Sequence, residues 1–349
     1  MITLNSFNND LEAKTWDEFV ASHPKGTPFH LSNWIRTLYQ TYPFKPLAYK
    51  FINNRNRITG IFPYFMVRAL SNRIRFISLP FSDYGGPLCQ DENVETGLLK
   101  QIINGIQRRG KNLEIRGHLL KDSGLICHNY YKRHILFLSN NPEEVKKSID
   151  KKTIQYSIRK AEKAGVLIKE ENTLWCMQEF YRLHLLTRKK HGIPSPPFKF
   201  FKNLFDNLVS KKIAFILLAL YDSKVIAAGI FFKFKEIVYY KYNASDPQYL
   251  SHQTPNHLLT WYAIERACLD GYQYFDFGRT SPDNEGLMRY KEMWGAKPID
   301  LPYYYYPQII GAASKEESDQ PYKIITNIWR SLPCRFVEKV GPLIYRYFV

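Results

Sequence analysis

The sequence has few of the residues that build metal sites and disulfide frameworks. It has five cysteines in 349 residues, and no two of them stand in a CxxC arrangement. Its nine histidines form no HExxH or other clustered pattern. Structural zinc sites and small disulfide scaffolds both depend on such close spacing. We therefore expect no metal site and a reducing compartment in which free thiols persist.

Long apolar segments and the motifs of several enzyme classes are also absent. No apolar run reaches the ~18 residues that a membrane-spanning helix needs, and Asp10 and Glu12 stand where a signal peptide has its apolar core. The sequence contains no G-x-S-x-G, no P-loop and no G-x-G-x-x-G. The missing motifs argue against a covalent hydrolase and a dinucleotide-dependent oxidoreductase. The missing membrane signals predict a cytoplasmic protein.

Positive charge and aromatic residues are present in excess. The formal net charge is +17 at pH 7, and aromatic residues make up 15% of the chain. Such a surplus attracts polyanions, including nucleic acid, anionic lipid and pyrophosphate-bearing substrates, but it does not select among them. A generally basic composition is the simpler explanation of the charge. The length of 349 residues suits two domains.

Both halves of the chain repeat the order strand, strand, strand, helix, strand. Hairpin-linked strands followed by a helical crossover predict a mixed α/β sheet, antiparallel at first and then with one parallel pair. We predict a first domain at 1–142, completed by the tail at 307–349, and a second domain at 143–306. The predicted strands cover 46–52, 57–67, 73–79, 112–116, 134–138, 213–220, 225–234, 237–243, 272–277 and 301–306, and the principal helices 92–109, 143–166 and 255–270.

The predicted helix at 143–166 has a basic face, and a break near Asp150 is compatible with its length. Lys152, Tyr156, Arg159 and Lys163 follow helical spacing, with apolar residues on the opposite side. A positive ridge with one aromatic residue could bind the phosphates of RNA. A solvated helix face explains the same pattern equally well.

The predicted helix at 255–270 begins with a pattern suited to anion binding. Thr254 stands at the N-cap and Pro255 at the first helical position. The free N–H groups at Asn256 and His257 would then face the end of the preceding strand, where a helix start attracts negative charge. His257 could also act as a base or hydrogen-bond donor, although a structural polar contact is the commoner role of such a histidine.

The segment 276–295 has the densest set of chemically useful side chains. We predict a polar loop here, beginning where a strand ends. Asp276 or Asp283 could pair with Arg279, Arg289 could bind phosphate bidentately, and Lys291 could stabilise negative charge on a carbonyl or phosphate oxygen. A surface network of ion pairs is the alternative explanation.

An ordered series of motifs in the chain resembles the Fem family of peptidoglycan-bridge aminoacyltransferases and their broader FemAB-like relatives in the GNAT superfamily. The series extends over most of the chain, from about Thr15 to Tyr306. The motifs are FHLSNW at 29–34, KKT at 151–153 with IRKAEKAGV at 158–166, HLLTRKKHGIP at 184–194, YYKYNAS at 239–245, PNHLL at 255–259, and GLMRYK at 286–291 with WG at 294–295.

The resemblance implies a fold and a set of roles. It implies two tandem GNAT-like domains that face a shared cleft, in which an amine attacks an activated carbonyl. Lys291 matches the cation that stabilises the transition state. We also predict a catalytic role for Asp276, from its place in the same dense segment and not from the resemblance. Arg188 lies in the segment whose arginine contacts the phosphates of the acceptor, and Arg36 matches a second phosphate-binding cation. Tyr242 lies on the strand that faces the cleft.

The resemblance also predicts the activity, and it leaves the donor open. The expected enzyme transfers an acyl or aminoacyl group to an amine or hydroxyl of a phosphorylated cell-envelope or exopolysaccharide precursor. The glycine-rich acetyl-CoA signature is absent, since 251–257 reads SHQTPNH. Glycine at that place lets backbone amides approach a pyrophosphate. No cofactor is firmly implied, and aminoacyl-tRNA and acyl-CoA both remain possible as donor substrates.

The tail at 311–349 supports a different kind of function. Aromatic residues such as Trp329 and Phe336 alternate with basic residues such as Arg330 and Lys339, as in helices that lie on a membrane surface. A non-catalytic scaffold at the inner face of the membrane would have such a tail. The alternative is a tail packed on the first domain.

Overall fold

A computed structural model describes residues 10–68, 73–107, 111–120, 124–308, 326 and 329–347. The chain divides into two compact units. The first draws its described residues from Met1–Tyr131, Asp300–Glu316 and Tyr347–Val349, and the second from Lys132–Ile299 and Glu317–Arg346.

The first unit is a mixed sheet covered by helices. Its elements are α1 (Asp10–Ser22), α2 (Ser32–Thr41), β1 (Lys45–Ile52), β2 (Ile58–Arg68), β3 (Ile74–Ile77), β4 (Leu88–Cys89), α3 (Glu92–Gln107), β5 (Asn112–Arg116), and the later part of β12 (Lys297–Tyr306). The strand order is β1-β2-β3-β5-β12, and β4 pairs with β2. The hairpin of β1 and β2 is antiparallel, whereas β3 and β5 are parallel because α3 crosses over between them.

Apolar spacing in the sequence explains how this sheet is covered. Leu98, Leu99, Ile102 and Ile106 recur at helical spacing along α3 and are all buried. They pack against the sheet together with inward-facing residues such as Phe62. This half therefore contains the strands predicted at 46–52, 57–67, 73–79 and 112–116 and the helix predicted at 92–109, with ends that differ by a few residues. The strand predicted at 134–138 is longer, since it begins at Ile126, and from Lys132 onward it belongs to the second unit.

The second unit repeats the pattern with additional helices. Its elements are the later part of β6 (Ile126–Phe137), α4 (Pro142–Ser148), α5 (Tyr156–Lys163), β7 (Leu167–Glu170), α6 (Leu174–His191), α7 (Phe198–Leu204), β8 (Ala214–Tyr221), β9 (Lys224–Phe234), β10 (Ile237–Ser245), α8 (Pro255–Leu269), β11 (Tyr274–Thr280) and α9 (Glu285–Met293). The strand order is β7-β8-β9-β10-β11-β6, antiparallel except for the parallel pair β10–β11.

The break predicted within 143–166 is confirmed. α4 ends at Ser148, and the chain begins a new turn at Asp150, whose carboxylate accepts a hydrogen bond from the backbone N–H of Thr153. One π-type turn precedes α5. Ile154 and Ile158 point into the core that α5 shares with α8, while the basic residues point outward.

The tail helix lies against the second unit. α10 (Cys334–Tyr345) packs on α6, with Val337 buried and Gly341 close to the backbone of Ser195. This differs from the sequence-based boundaries, which assign the tail to the first domain. An amphipathic pattern indicates which face of a helix is buried, but not which domain buries it. Residues 309–325, 327–328 and 348–349 of the tail lie outside the described residues.

Membrane-spanning segments are not found in the ranges given above. None of the helices there has the combination of length and apolar character that a bilayer crossing demands.

Candidate active site

The sheet of the second unit opens between its two parallel strands. β10 and β11 pair at only three positions, from Ile237 with Tyr274 to Tyr239 with Asp276. Beyond them β10 stays paired with β9 as far as Ser245, while β11 stays paired with β6. The two strands therefore diverge past Asp276. A gap of this kind, at the carboxyl ends of strands, is where α/β sheets commonly bind ligands.

β11 has a bulge at the point of divergence. Asp276 pairs with Ile135 of β6, but Arg279 pairs with Arg133, so two residues of β11 stand opposite one residue of β6. Gly278 lies inside the bulge with a φ of 72°, a left-handed conformation that glycine adopts without steric cost. The bulge turns the local carbonyl groups away from the regular ladder. Bulges are common next to active sites for this reason.

Asp276 fixes the bulge from inside the protein. Its carboxylate is 1% exposed. Oδ1 accepts a hydrogen bond of 2.7 Å from the backbone N–H of Gly278, and Oδ2 accepts one of 2.8 Å from Nε of Arg133. A buried carboxylate needs such partners, because burial without them is costly. Asp276 thus joins the backbone of the bulge to the neighbouring strand.

The prediction of a polar loop over 276–295 is wrong for most of that range. β11 continues to Thr280, and residues from Glu285 form α9. Asn284 caps this helix, since its side-chain oxygen accepts from the backbone N–H of Leu287. Only the turn between β11 and α9 is irregular. The helix was missed because it is short and four of its nine residues are charged, a composition that also suits a polar loop.

α9 places Lys291 on the bulge. Its Nζ donates to the carbonyl oxygen of Gly278 at 2.9 Å and to that of Arg279 at 3.2 Å. Lys291 is only 6% exposed. The bulge therefore presents two carbonyl groups to a buried ammonium group. In a medium of low dielectric constant, such a fixed charge interacts more strongly with developing negative charge than it would in water.

His134 is a polar residue of this site that the sequence did not indicate. It is the residue of β6 opposite the bulge, and it is fully buried. Its Nδ1 lies 3.5 Å from Oγ1 of Thr280, and its Nε2 has no hydrogen-bond partner. Burial, and secondly the charge of Lys291, lowers the pKa of His134 to about 4. A single histidine at the start of a predicted strand offered no motif that would have marked it.

The start of α8 is less open to anions than its sequence predicts. Thr254 precedes the helix in a left-handed conformation, but its Oγ1 donates to the carbonyl of Ser157 in α5 and does not cap the helix. Pro255 has no N–H, and the N–H of His257 donates to the carbonyl of Thr254. The amide of Asn256 donates from Nδ2 to Oγ of Ser245 at 3.3 Å. Several groups that could hold a phosphate are therefore already engaged.

His257 faces aromatic residues of α9. Its ring centroid lies 5.8 Å from that of Tyr290 and 6.4 Å from that of Trp294. Its Nδ1 is buried without a hydrogen-bond partner, as is Oδ1 of Asn256. Burial lowers the pKa of His257, so the ring is neutral near pH 7. Asn256 and His257 both lie in the first turn of α8, as predicted.

The basic ridge on α5 is present. Lys152, Arg159 and Lys163 are exposed, and Tyr156 between them is 58% exposed. Neither hydrogen bonds nor ion pairs to other described residues engage the three charged groups. The ridge ends near the α8 start, because Nζ of Lys160 donates to the carbonyl of Ser251 at 2.8 Å.

Arg188 lies on α6, and Tyr242 lies on the part of β10 beyond its pairing with β11. Nε of Arg188 donates to the carbonyl of Pro194 at 2.9 Å, and its guanidinium carbon lies 5.5 Å from the ring centroid of Tyr345. Tyr242 packs its ring against an aromatic cluster that includes Phe201, 5.8 Å away. Both residues thus have structural contacts in addition to the binding roles predicted for them.

The remaining predicted arginines have different surroundings. Arg279 is partly buried in the bulge, whereas Arg289 is exposed on α9. Arg36 lies on α2 in the first unit and is partly buried. Burial raises the pKa of the nearby Asp17, and the charge of Arg36 opposes that rise. The catalytic and binding roles of all these residues stay predictions.

Comparison with known protein families identifies the central part of the chain. Residues 150–292 match the model of the acetyltransferase (GNAT) domain. This range includes α5, the start of α8, the bulge and Lys291. None of the curated protein sequences compared with the chain matches it significantly.

Solved structures with the same fold extend the likeness to nearly the whole chain. The crystal structure of FemX matches with a TM-score of 0.65 at 15% identity, covering 84% of this chain and 95% of that one. The C-terminal domain of a putative lysylphosphatidylglycerol synthetase from Agrobacterium fabrum matches with a TM-score of 0.59 at 12% identity, covering 85% and 92%. A tandem GNAT protein from the clavulanic acid pathway matches with a TM-score of 0.50 at 10% identity, covering 86% and 96%.

The tandem GNAT-like α/β fold that the resemblance predicted is confirmed. The chain carries an acyltransferase domain of the GNAT type.

Proposed function

We propose that this GNAT-type acyltransferase moves an activated aminoacyl or acyl group onto an amine or hydroxyl of a phosphorylated cell-envelope precursor. The observation that carries the proposal is the buried ammonium group of Lys291, held on the bulge carbonyls where β10 and β11 diverge. The FemX-like fold and the likeness to a lysylphosphatidylglycerol synthetase domain support an aminoacyl group and an envelope acceptor. An exopolysaccharide precursor is the other acceptor class of this kind.

The transfer needs a fixed positive charge more than a covalent intermediate. The acceptor nitrogen or oxygen forms a bond to the carbonyl carbon of the donor, and the bond from that carbon to the donor oxygen or sulfur breaks. The proton lost by the nucleophile leaves on the departing oxygen or sulfur. Negative charge accumulates on the carbonyl oxygen in between, and Lys291 stabilises it. Asp276 acts by holding the bulge, and thereby the ammonium group, in place.

The start of α8 supports aminoacyl-tRNA over acyl-CoA as the donor. A pyrophosphate requires several free backbone N–H groups at a helix start. Here Pro255 provides none, and the N–H of His257 is bonded to Thr254. The exposed ridge of Lys152, Arg159 and Lys163 offers phosphate contacts to RNA instead.

Lys291→Met is the variant that tests the catalytic part of the proposal. We expect transfer to fall by about 100- to 1,000-fold, the usual effect of removing one group that stabilises an oxyanion. Glu292→Gln, at an exposed residue on the same helix, controls for charge loss on α9 without disturbing the bulge. The control variant should lower the rate of transfer much less than Lys291→Met does. Equal turnover of Lys291→Met and the wild type would remove Lys291 from the mechanism.

Salt-dependent binding separates the two donors. We expect tRNA to bind, and K152Q/R159Q/K163Q to reduce the slope of log affinity against log salt by about 2–3, since each phosphate contact contributes roughly 0.7–0.9 to that slope. K199Q/K211Q/K212Q removes three other exposed lysines of the second unit and serves as the matched control. Tight CoA binding without RNA binding would favour acyl-CoA and contradict the tRNA proposal.

The tail helix supports a second candidate, a peripheral contact with the membrane. Phe336 is 47% exposed and Leu343 62% exposed, seven residues apart on one side of α10 with Lys339 between them. A scaffold or a lipid-linked substrate would use this contact. F336S/L343S in the full chain should lower co-sedimentation with anionic vesicles. Undiminished binding by the variant would contradict the role of the tail.

A further inference from the structure

A groove in the second unit lies outside the site described above. It is lined by one face of α6, the turn between β8 and β9 with the start of β9, and the segment that follows β10. Its volume is about 310 Å³. Clefts that bind small molecules measure about 300–1,000 Å³, so the groove is large enough for a small ligand. Of the residues that the structure describes, those that line it include none from the bulge or from α9.

Trp175 gives the groove an aromatic surface. It is 49% exposed, whereas the other five tryptophans of the chain are at most 6% exposed. Tyr249 also lines the groove, and its ring centroid lies 6.1 Å from that of Tyr221. Burial of a tryptophan ring is favourable, so one that stays exposed beside a groove favours a ligand that covers it.

The polar side chains of α6 in the groove are held in place by the protein. Trp175, Glu179 and Arg182 follow helical spacing along one face of α6. Nε and Nη2 of Arg182 donate to Oε2 of Glu179 at 3.0 and 2.9 Å, and Nη2 also donates to the carbonyl oxygen of Val225 at 2.8 Å. Within the described part of the chain, Nη1 of Arg182 and Oε1 of Glu179 have no partner. The pair thus offers one donor and one acceptor in fixed positions.

The rest of the lining adds a second pair of opposite charges. Lys224 follows a two-residue turn in which Asp222 and Ser223 both have positive φ, as in the tight turns that join hairpin strands. Oδ1 of Asp246 accepts from the backbone N–H of Gln248 at 3.0 Å, and Oδ2 has no partner among the described residues. With the pair on α6, the groove has two acidic and two basic side chains. It is therefore neutral, in a chain with a net charge of +17.

We propose that this groove binds one uncharged ring of a saccharide. A sugar ring has an apolar C–H face that stacks on Trp175, and its hydroxyl groups both donate and accept hydrogen bonds, as the paired acids and bases require. A phosphate group would gain little from a groove without net charge. An apolar ligand would leave the charged groups without hydrogen-bond partners. Sugar binding here does not require the transfer proposed at Lys291.

Tryptophan fluorescence of the full chain measures this binding, because Trp175 is its exposed tryptophan. The probes are glucose, galactose, N-acetylglucosamine, N-acetylgalactosamine and their β-linked disaccharides, each up to about 50 mM, since a weak ligand has a Kd of about 1 mM. We expect at least one of them to shift the emission to shorter wavelength and to protect Trp175 from quenching by acrylamide. The affinity should change little between about 0.05 and 0.5 M salt, a range over which screening weakens the binding of an anion.

Two substitutions assign the binding to the groove. Trp175→Ala removes the fluorescent group, so its affinity is measured by saturation-transfer NMR of the sugar protons. We expect binding to weaken about 10-fold or more in Trp175→Ala, with an unchanged Tm, and about 3- to 10-fold in Glu179→Gln. Leu269→Ala is the matched control, because Leu269 is 66% exposed on α8 and does not line the groove. Its affinity should equal that of the wild type.

Failure of all these sugars to bind would overturn the proposal. So would sugar binding that Trp175→Ala leaves unchanged, or that Leu269→Ala weakens as much as Trp175→Ala does. AMP and inorganic phosphate are tested in the same titrations. Quenching of Trp175 by either of them and by none of the sugars would identify an anion site and contradict the saccharide proposal.

Discussion

Removing the charge of Asp276 should lower the free energy of unfolding of the second unit more than the same change at an exposed ion pair. Asp276→Asn keeps the shape of the side chain, and its amide oxygen can still accept from the N–H of Gly278. The amide nitrogen, however, then faces Nε of Arg133, so two donors meet where a carboxylate oxygen now accepts at 2.8 Å. Arg133 on the neighbouring strand then loses the carboxylate oxygen that accepts from its Nε.

The size of the effect follows from burial. The carboxylate is 1% exposed and the guanidinium 24% exposed. Breaking a fully buried pair costs about 3–5 kcal/mol, and the partial exposure of Arg133 reduces this to about 2–3 kcal/mol. For a unit of this size, that loss lowers Tm by roughly 5–10 °C. The ammonium group of Lys291 loses its support as well, so turnover should fall together with stability.

Urea unfolding followed by circular dichroism measures the free energy directly, and Asp206→Asn is the matched control. Asp206 pairs with Lys202, and the two side chains are 46% and 50% exposed. Loss of an exposed helical pair costs about 0.3–0.5 kcal/mol. Equal losses in Asp276→Asn and Asp206→Asn would refute the account of the bulge as a structure held by a buried carboxylate.

Two further predictions concern acid pH and the α9 cap. His134 has a folded pKa of about 4, below its ordinary value of 6.5, so the unfolded chain binds the proton first. The free energy of unfolding should therefore fall as the pH drops from 6.5 to 4, by about 2 kcal/mol between pH 7 and pH 5. In urea titrations, His134→Phe should lose this pH-dependent part of the free energy. Asn284→Ala removes the hydrogen bond to the N–H of Leu287 and should cost about 0.5–2 kcal/mol, lowering turnover by displacing Lys291. A slope against pH that persists in His134→Phe, or full turnover in Asn284→Ala, would contradict these expectations.

Local patterns were sufficient for most of the two sheets. Alternating and continuous apolar runs between turn residues identified strands such as β9 and β10 within a few residues of their ends. The break near Asp150 was also readable, because a side chain that caps a helix acts on its own neighbours. These features depend on interactions within a few residues along the chain.

Helices with weak apolar spacing were harder to read. α9 is only nine residues long and four of these are charged, so its composition resembled a polar loop. Lys291 is its one buried charged residue. A hydrophobicity pattern assigns a lysine to the surface, so this residue hides the side of the helix that faces the core. The burial of Lys291 is offset by hydrogen bonds to two carbonyl groups in the bulge of β11.

What the sequence determined by itself was the order of elements, the duplicated α/β plan and the Fem-like series that includes Lys291. What only the tertiary structure decided was the site around that residue. The hydrogen bond between Arg133 and Asp276 joins residues more than 100 positions apart. The left-handed conformation of Gly278 and the burial of the unpartnered nitrogen of His134 both depend on the register of β11 against β6. Register and burial arise from the packing of distant segments, and no local pattern of residues encodes them.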